Sequence, residues 1–189
     1  MRQVPNLLGV FRLVTTPLLA WLILLNTASG LFGAVVVLLL MAASDIADGK
    51  IARRYNIVSK LGIFLDTISD KIFVAGALIP MVEIDLLPSW VALLIITREF
   101  AVSGLRSYAA AEGVVIPARQ WGKQKMAITV GAIMWCLLHA AALQLPGSPT
   151  WLTGLLGLWP VAIGAALVWT VGSGIEYFWN ARDLLRRSL

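Results

Sequence analysis

The chain has 189 residues, 59% of them apolar and only 13% charged, with a mean hydropathy of +0.86. A soluble domain of this length is not so apolar, and runs of about 20 apolar residues predict a bundle of membrane-spanning helices. The formal net charge of +5 does not mark a nucleic-acid binder, because the basic residues are scattered between apolar runs, and a single cysteine, Cys136, excludes an intramolecular disulfide.

In chain order, six spans are predicted, at about Asn6–Leu25, Leu31–Arg53, Leu61–Val82, Pro88–Tyr108, Lys125–Gln144 and Trp159–Trp179. Pro5-Asn6 starts the first span, and Arg12 and Pro17 slant its early turns through the interface. That span is too long for a signal peptide and lacks a small-residue cleavage site, so it is expected to be retained. The turns Asn26–Gly30, Glu83–Leu87 and Gln144–Thr150 contain no Lys or Arg. The positive-inside rule then puts both termini and the Lys50–Lys60 and Glu112–Lys125 loops in the cytoplasm. Trp21, Trp90, Trp121, Trp151 and Trp179 fall where an aromatic belt would lie. Cys136 sits in the fifth span and reads as a packing residue. His139, near the outer end of that span, is too far in depth from the aspartates of the second and third spans to be expected in catalysis, and Leu184–Leu189 forms a basic tail. No repeat or second domain is visible. The expected fold is all-α and integral to the membrane, a single domain over residues 1–189 with six transmembrane helices and both termini cytoplasmic.

Within this apolar chain, four of the ten acidic residues fall on two adjacent spans. They form the string Asp45-x2-Asp48-Gly49-x2-Ala52-Arg53-x8-Gly62-x3-Asp66-x3-Asp70. Helical residues three or four apart share a face, so Asp45 and Asp48 point one way and Asp66 and Asp70 likewise. The short connection predicts antiparallel neighbours, with Asp48 and Asp66 shallow and Asp45 and Asp70 about one turn deeper. Carboxylates in hydrocarbon are costly and repel one another unless a cation compensates them. Hard oxygen donors at this density suit Mg²⁺ or Mn²⁺ rather than zinc, and the geometry predicts a metal site between the second and third helices, with two divalent ions about 4 Å apart. Gly49, Ala52 and Gly62 leave room for a ligand, and Arg53 at the mouth suits a diphosphate or a carboxylate. The same carboxylates could instead line a cation pathway, or neutralise nearby Arg and Lys. A divalent-cation transporter is disfavoured because the outer halves of the two spans, Leu31–Met41 and Phe73–Met81, are apolar.

Further along, Arg98 and Arg106 lie two turns apart on the fourth span, and Lys123 and Lys125 close the next cytoplasmic loop. Together they form a candidate pocket for a phosphate-bearing substrate beside the aspartates. The competing expectation is that Arg98 pairs with Glu99 or an aspartate, and that the lysines face lipid headgroups.

The aspartate string resembles the signature of the CDP-alcohol phosphotransferases, D-x2-D-G-x2-A-R-x8-G-x3-D-x3-D, at all eight specified positions. The resemblance implies displacement of CMP from a CDP-linked lipid by an alcohol, with Mg²⁺ or Mn²⁺ as cofactor. It implies that Asp45, Asp48 and Asp66 are metal ligands, that Asp70 borders the metals and acts as the base, and that Gly49, Ala52 and Gly62 make room for the nucleotide. A narrower resemblance rests on Pro5-Asn6-Leu7-Leu8 with Arg12 and Pro17, Asp70-Lys71, Arg98-Glu99-Phe100, Ser103-Gly104-Leu105-Arg106 and Gly122-Lys123-x-Lys125. It is to bacterial members that use CDP-diacylglycerol as donor and sn-glycerol 3-phosphate as acceptor, which implies a cytoplasmic-membrane enzyme of phospholipid biosynthesis. The family further implies a homodimer. Alternative acceptors are inositol phosphate, serine and phosphatidylglycerol.

Overall fold

In long apolar segments the backbone N–H and C=O groups must pair within the segment, and the helix is the structure that does so. The computed structural model of the protein describes residues 4–55, 60–114 and 120–187, and of these 4–8, 47–55, 60–66, 120–123, 183–185 and 187 by backbone alone. The described residues are helical throughout apart from short turns. The helices are α1 (Val4–Leu24), α2 (Ala28–Tyr55), α3 (Lys60–Glu83), α4 (Ser89–Ala111), α5 (Gln120–Gln144), α6 (Thr150–Leu156) and α7 (Trp159–Arg187).

Six long helices lie over the six stretches predicted as spans, and among the described residues three stretches are long and apolar enough to cross a membrane. The addition is α6, a seven-residue helix between the predicted turn Gln144–Thr150 and the last predicted span. Pro149 at its N-cap has φ −61° and ψ 134°, the extended approach that leads into a first helical turn. The Leu156 carbonyl accepts a 3.0 Å hydrogen bond from the Trp135 indole, tying α6 to α5. At the other face, α4 ends where Gly113 takes φ +73°. The Val114 N–H then reaches the Ala109 carbonyl at 2.8 Å and the Gly113 N–H the Ala110 carbonyl at 3.1 Å, which is a Schellman ending.

The long helices close a ring in the order α1–α2–α5–α7–α4–α3, with α3 returning to α1. This differs from the expectation of direct α2–α3 packing. Among the described residues α2 and α3 hardly touch, because α1 lies against both. The interior is apolar, with Leu19, Ile23, Leu38, Leu78, Met81 and Leu137 fully buried. A second buried group, Val102, Leu105, Tyr177 and Ala181, joins α4 to α7. The outside is apolar as well: Trp21, Ile79, Leu93, Val161 and Trp179 are each more than half exposed. Burial of apolar surface therefore does little to choose this arrangement in lipid, and close van der Waals fit must do it.

The closest fit is between α1 and α3. A β-carbon at Gly76 would collide with the Thr16 methyl group. The Thr16 hydroxyl in turn donates to the Arg12 carbonyl at 2.7 Å, one turn back along α1. Gly76→Ala is accordingly expected to destabilise the protein by about 1–3 kcal/mol, the usual cost of overpacking. A lowered unfolding temperature in detergent would show it; an unchanged one would mean that this contact does not set the α1–α3 distance.

Candidate active site

Three helices bring one cation and two anions together inside the ring. Arg12 of α1 is 1% exposed. Its Nη1 donates to Asp45 Oδ1 of α2 at 2.8 Å and also to Asp70 Oδ1 of α3. The structure thus unites the two aspartates expected at the deeper level, with a guanidinium between them. The two aspartate side chains keep 36% exposure and the arginine side chain 2%, so the anions are the more open partners of the cluster. Asp48 lies on α2 and Asp66 on α3, but the side chains of both fall outside the described residues, as do those of Ala52, Arg53 and Lys123, with Gly49 and Gly62. No group of three acidic, His or Cys residues gathers among the described residues.

Beside Asp45 opens a cavity of about 310 Å³, walled by Met41, Ala42, Phe73, Met126, Val130 and Met134, with Arg12 and Asp45 as its charged lining. A void of this chemistry accepts an apolar group attached to a polar one.

A second charge cluster spans α4, α5 and α7. Glu99 Oε1 accepts an ion-paired hydrogen bond from Lys125 Nζ and lies 3.6 Å from Arg98 Nη1. Arg98 Nη2 donates to Ser173 Oγ of α7 at 2.9 Å. Lys125 also lies within electrostatic range of Arg98 and Asp70, so the two clusters are neighbours. Of the four cations predicted for a phosphate pocket, Arg98 and Lys125 are brought together and Arg98 does pair with Glu99. Arg106 is exposed two turns further along α4 and is not part of the cluster. Cys136 is buried with Sγ 3.7 Å from the Leu86 carbonyl. His139 packs near Gly157, which follows α6, with its Cε1 3.7 Å from where a β-carbon would stand there.

Two contributions are not found by sequence reasoning. Arg12 reads as an interfacial residue of the first span, although a charge inside an apolar helix is itself the signal that a partner exists. Ser173 and Tyr177 carry no signal, because a serine and a tyrosine in an apolar helix fit packing equally well.

Helices apolar on the outside with charges turned inward define an integral membrane protein. Three stretches, Ala28–Ile46, Gln124–Gln144 and Thr150–Arg182, are long and apolar enough to cross a bilayer. The sequence profile of the CDP-alcohol phosphatidyltransferases matches residues 2–171, and the chain belongs to that family of membrane transferases. It is 38% identical to a CDP-diacylglycerol–glycerol-3-phosphate 3-phosphatidyltransferase of Bacillus subtilis over 81% of this chain and 75% of that protein. It is 29% identical to the protein of the same name from Rickettsia typhi, over 94% of this chain and 96% of that one. A CMP-forming cardiolipin synthase of Streptomyces coelicolor is 38% identical over 51% of this chain and 46% of its own length.

Arg12→Ala leaves two carboxylates in an apolar bundle without their shared cation. Because both carboxylates keep some solvent contact, the expected loss is about 2 kcal/mol, below the full cost of breaking a buried ion pair. Unfolding in detergent measures it, and stability equal to that of the unaltered protein would mean that the guanidinium does not compensate this pair.

Proposed function

We propose that the protein transfers the phosphatidyl group of CDP-diacylglycerol to sn-glycerol 3-phosphate, forming phosphatidylglycerophosphate and releasing CMP. The observation that carries this reading is the pairing of Asp45 and Asp70, from different helices, around a single cationic nitrogen beside an apolar cavity. Two carboxylates that converge on one cation also suit a divalent metal, and the aspartate string supplies two more. Asp45, Asp48, Asp66 and Asp70 would hold Mg²⁺ or Mn²⁺, two ions per site. The metals would neutralise the donor diphosphate as negative charge builds on departing CMP.

The protein's own groups divide the remaining work. The cavity beside Asp45 suits the start of the donor's lipid portion, with its acyl chains continuing into the bilayer. In this reading Gly49, Ala52 and Gly62 would leave space for cytidine, and Arg53 would pair with the diphosphate. Arg98 and Lys125, with Glu99 between them, carry one net positive charge for the acceptor phosphate, and Arg106 and Lys123 would add to it from the cytoplasmic side. The acceptor hydroxyl oxygen attacks the lipid-bearing phosphorus, the bond from that phosphorus to CMP breaks, and Asp70 takes the hydroxyl proton. The charge asymmetry of the loops supports a six-span topology in the cytoplasmic membrane, with the site facing the cytoplasm. The family supports a homodimer. Fully buried Leu19, Ile23, Leu31, Leu38, Ala77 and Leu78 argue against an ion path through this part of the bundle.

The test is CMP release by detergent-purified protein given CDP-diacylglycerol and Mg²⁺, with glycerol 3-phosphate, inositol phosphate, inositol, serine or phosphatidylglycerol as acceptor. Release is expected with glycerol 3-phosphate alone. Asp70→Asn is expected to lower it by roughly a hundredfold or more, the range for loss of a general base. Release with another acceptor instead would overturn the acceptor assignment, and release with none would overturn the transferase reading.

Metal binding has its own readout. Mg²⁺ or Mn²⁺ is expected to raise the unfolding temperature of the protein, and less so for Asp45→Asn, since a ligand that binds only the folded state stabilises it. EDTA is expected to abolish CMP release. Equal stabilisation of both proteins would exclude Asp45 as a ligand.

A further inference from the structure

Arg98 is held mainly by a helix that contains none of the signature residues. On α7, Ser173, Gly174 and Tyr177 fall within one turn and meet the Arg98 side chain along its length. Ser173 is fully buried and its hydroxyl donates to the Thr170 carbonyl at 3.1 Å, which leaves its lone pairs to accept from Arg98 Nη2 at 2.9 Å. A β-carbon at Gly174 would stand 3.2 Å from Arg98 Cγ and 3.7 Å from Nε, so the absent side chain is the space the arginine stem occupies. The Tyr177 ring centroid lies 6.0 Å from the guanidinium carbon, within range of a cation–π contact.

These contacts do not exhaust the guanidinium. It has five N–H donors in a rigid fork. Nη2 meets Ser173, Nη1 lies 3.6 Å from Glu99, and Nε is buried with no hydrogen-bond partner among the described residues. With Nε enclosed beside Gly174 and Nη2 anchored on Ser173, the fork keeps further N–H donors on Nη1 and Nη2 for an oxyanion with two or more oxygens. Glu99 fixes the opposite side and is itself drawn toward Lys125, which keeps its carboxylate from saturating the arginine.

We propose that Ser173, Gly174 and Tyr177 are positioning residues that aim Arg98 at the phosphate of the acceptor, so that the last helix sets acceptor affinity. The inference rests on the reading of Arg98 as an acceptor-phosphate ligand. It assigns no chemistry to α7, whose residues act only through Arg98.

The experiment measures kcat and both KM values for CMP release by Ser173→Ala, Gly174→Ala, Arg98→Ala and the double variant Ser173→Ala/Arg98→Ala. The two single α7 variants are each expected to raise the KM for glycerol 3-phosphate by roughly fivefold to tenfold, the size of one ordinary hydrogen bond. Their kcat and their KM for CDP-diacylglycerol are expected to stay within about twofold, a split that general loosening of the bundle would not produce. The double variant is expected to match Arg98→Ala alone, because Ser173 acts through that arginine. An Arg98→Ala effect on acceptor KM with none from either α7 variant overturns the inference and spares the reading of Arg98. Additive losses in the double variant, or losses in kcat alone, likewise overturn the inference. An unchanged acceptor KM in Arg98→Ala overturns the reading of Arg98 and the inference with it. Should Ser173→Ala fold poorly, Gly174→Ala carries the same comparison.

Discussion

The interior of this bundle is organised by the need to compensate charge where water is scarce. An arginine buried to 1% exposure reaches carboxylates on two other helices, and each helix would be costly to place without the others. That requirement fixes which face of α1 turns inward and the depth at which α2 and α3 meet it. Apolar side chains could be exchanged between core and lipid at little cost, so they specify the arrangement weakly. The ion pairs and the Thr16–Gly76 contact specify it strongly.

The ring order extends this logic to a second centre. Arg98 and Glu99 of α4, Lys125 of α5 and Ser173 of α7 form a second polar contact beside the first, near enough for Lys125 to sense Asp70. Every long helix thus contributes a polar group to one or other cluster. In the proposed reaction the acidic cluster serves the donor and its diphosphate, while the basic cluster serves the acceptor. In that proposal their adjacency would let an acceptor held by its phosphate present its hydroxyl to Asp70.

Much of this architecture was legible in the sequence, for identifiable reasons. The six long helices follow from apolar runs longer than any strand requires, and their boundaries from turns such as Asn26–Gly30. The depth pairing of Asp45 with Asp70 follows from helical rise. Membership in the CDP-alcohol phosphatidyltransferases was carried by the aspartate string. The position of α1 against both α2 and α3 was not legible, because a short connection suggests that the helices it joins pack together, and nothing local reveals a third helix between them. The short α6, between the turn at Pro146–Pro149 and the last span, was not legible, because seven residues are too few to show a helical period. The hold of α7 on Arg98 depends on residues 75 positions apart, and periodicity along one helix carries no information about such a pairing.

The place of α1 has a consequence for how the chain is made. Arg12, Asp45 and Asp70 belong to the first three helices in order of synthesis, so the first helix carries the counter-charge that the next two require. Those carboxylates need not wait for the second half of the protein to find a partner in the bilayer. The acidic cluster can therefore mature as an early unit, against which α4 to α7 assemble the basic one.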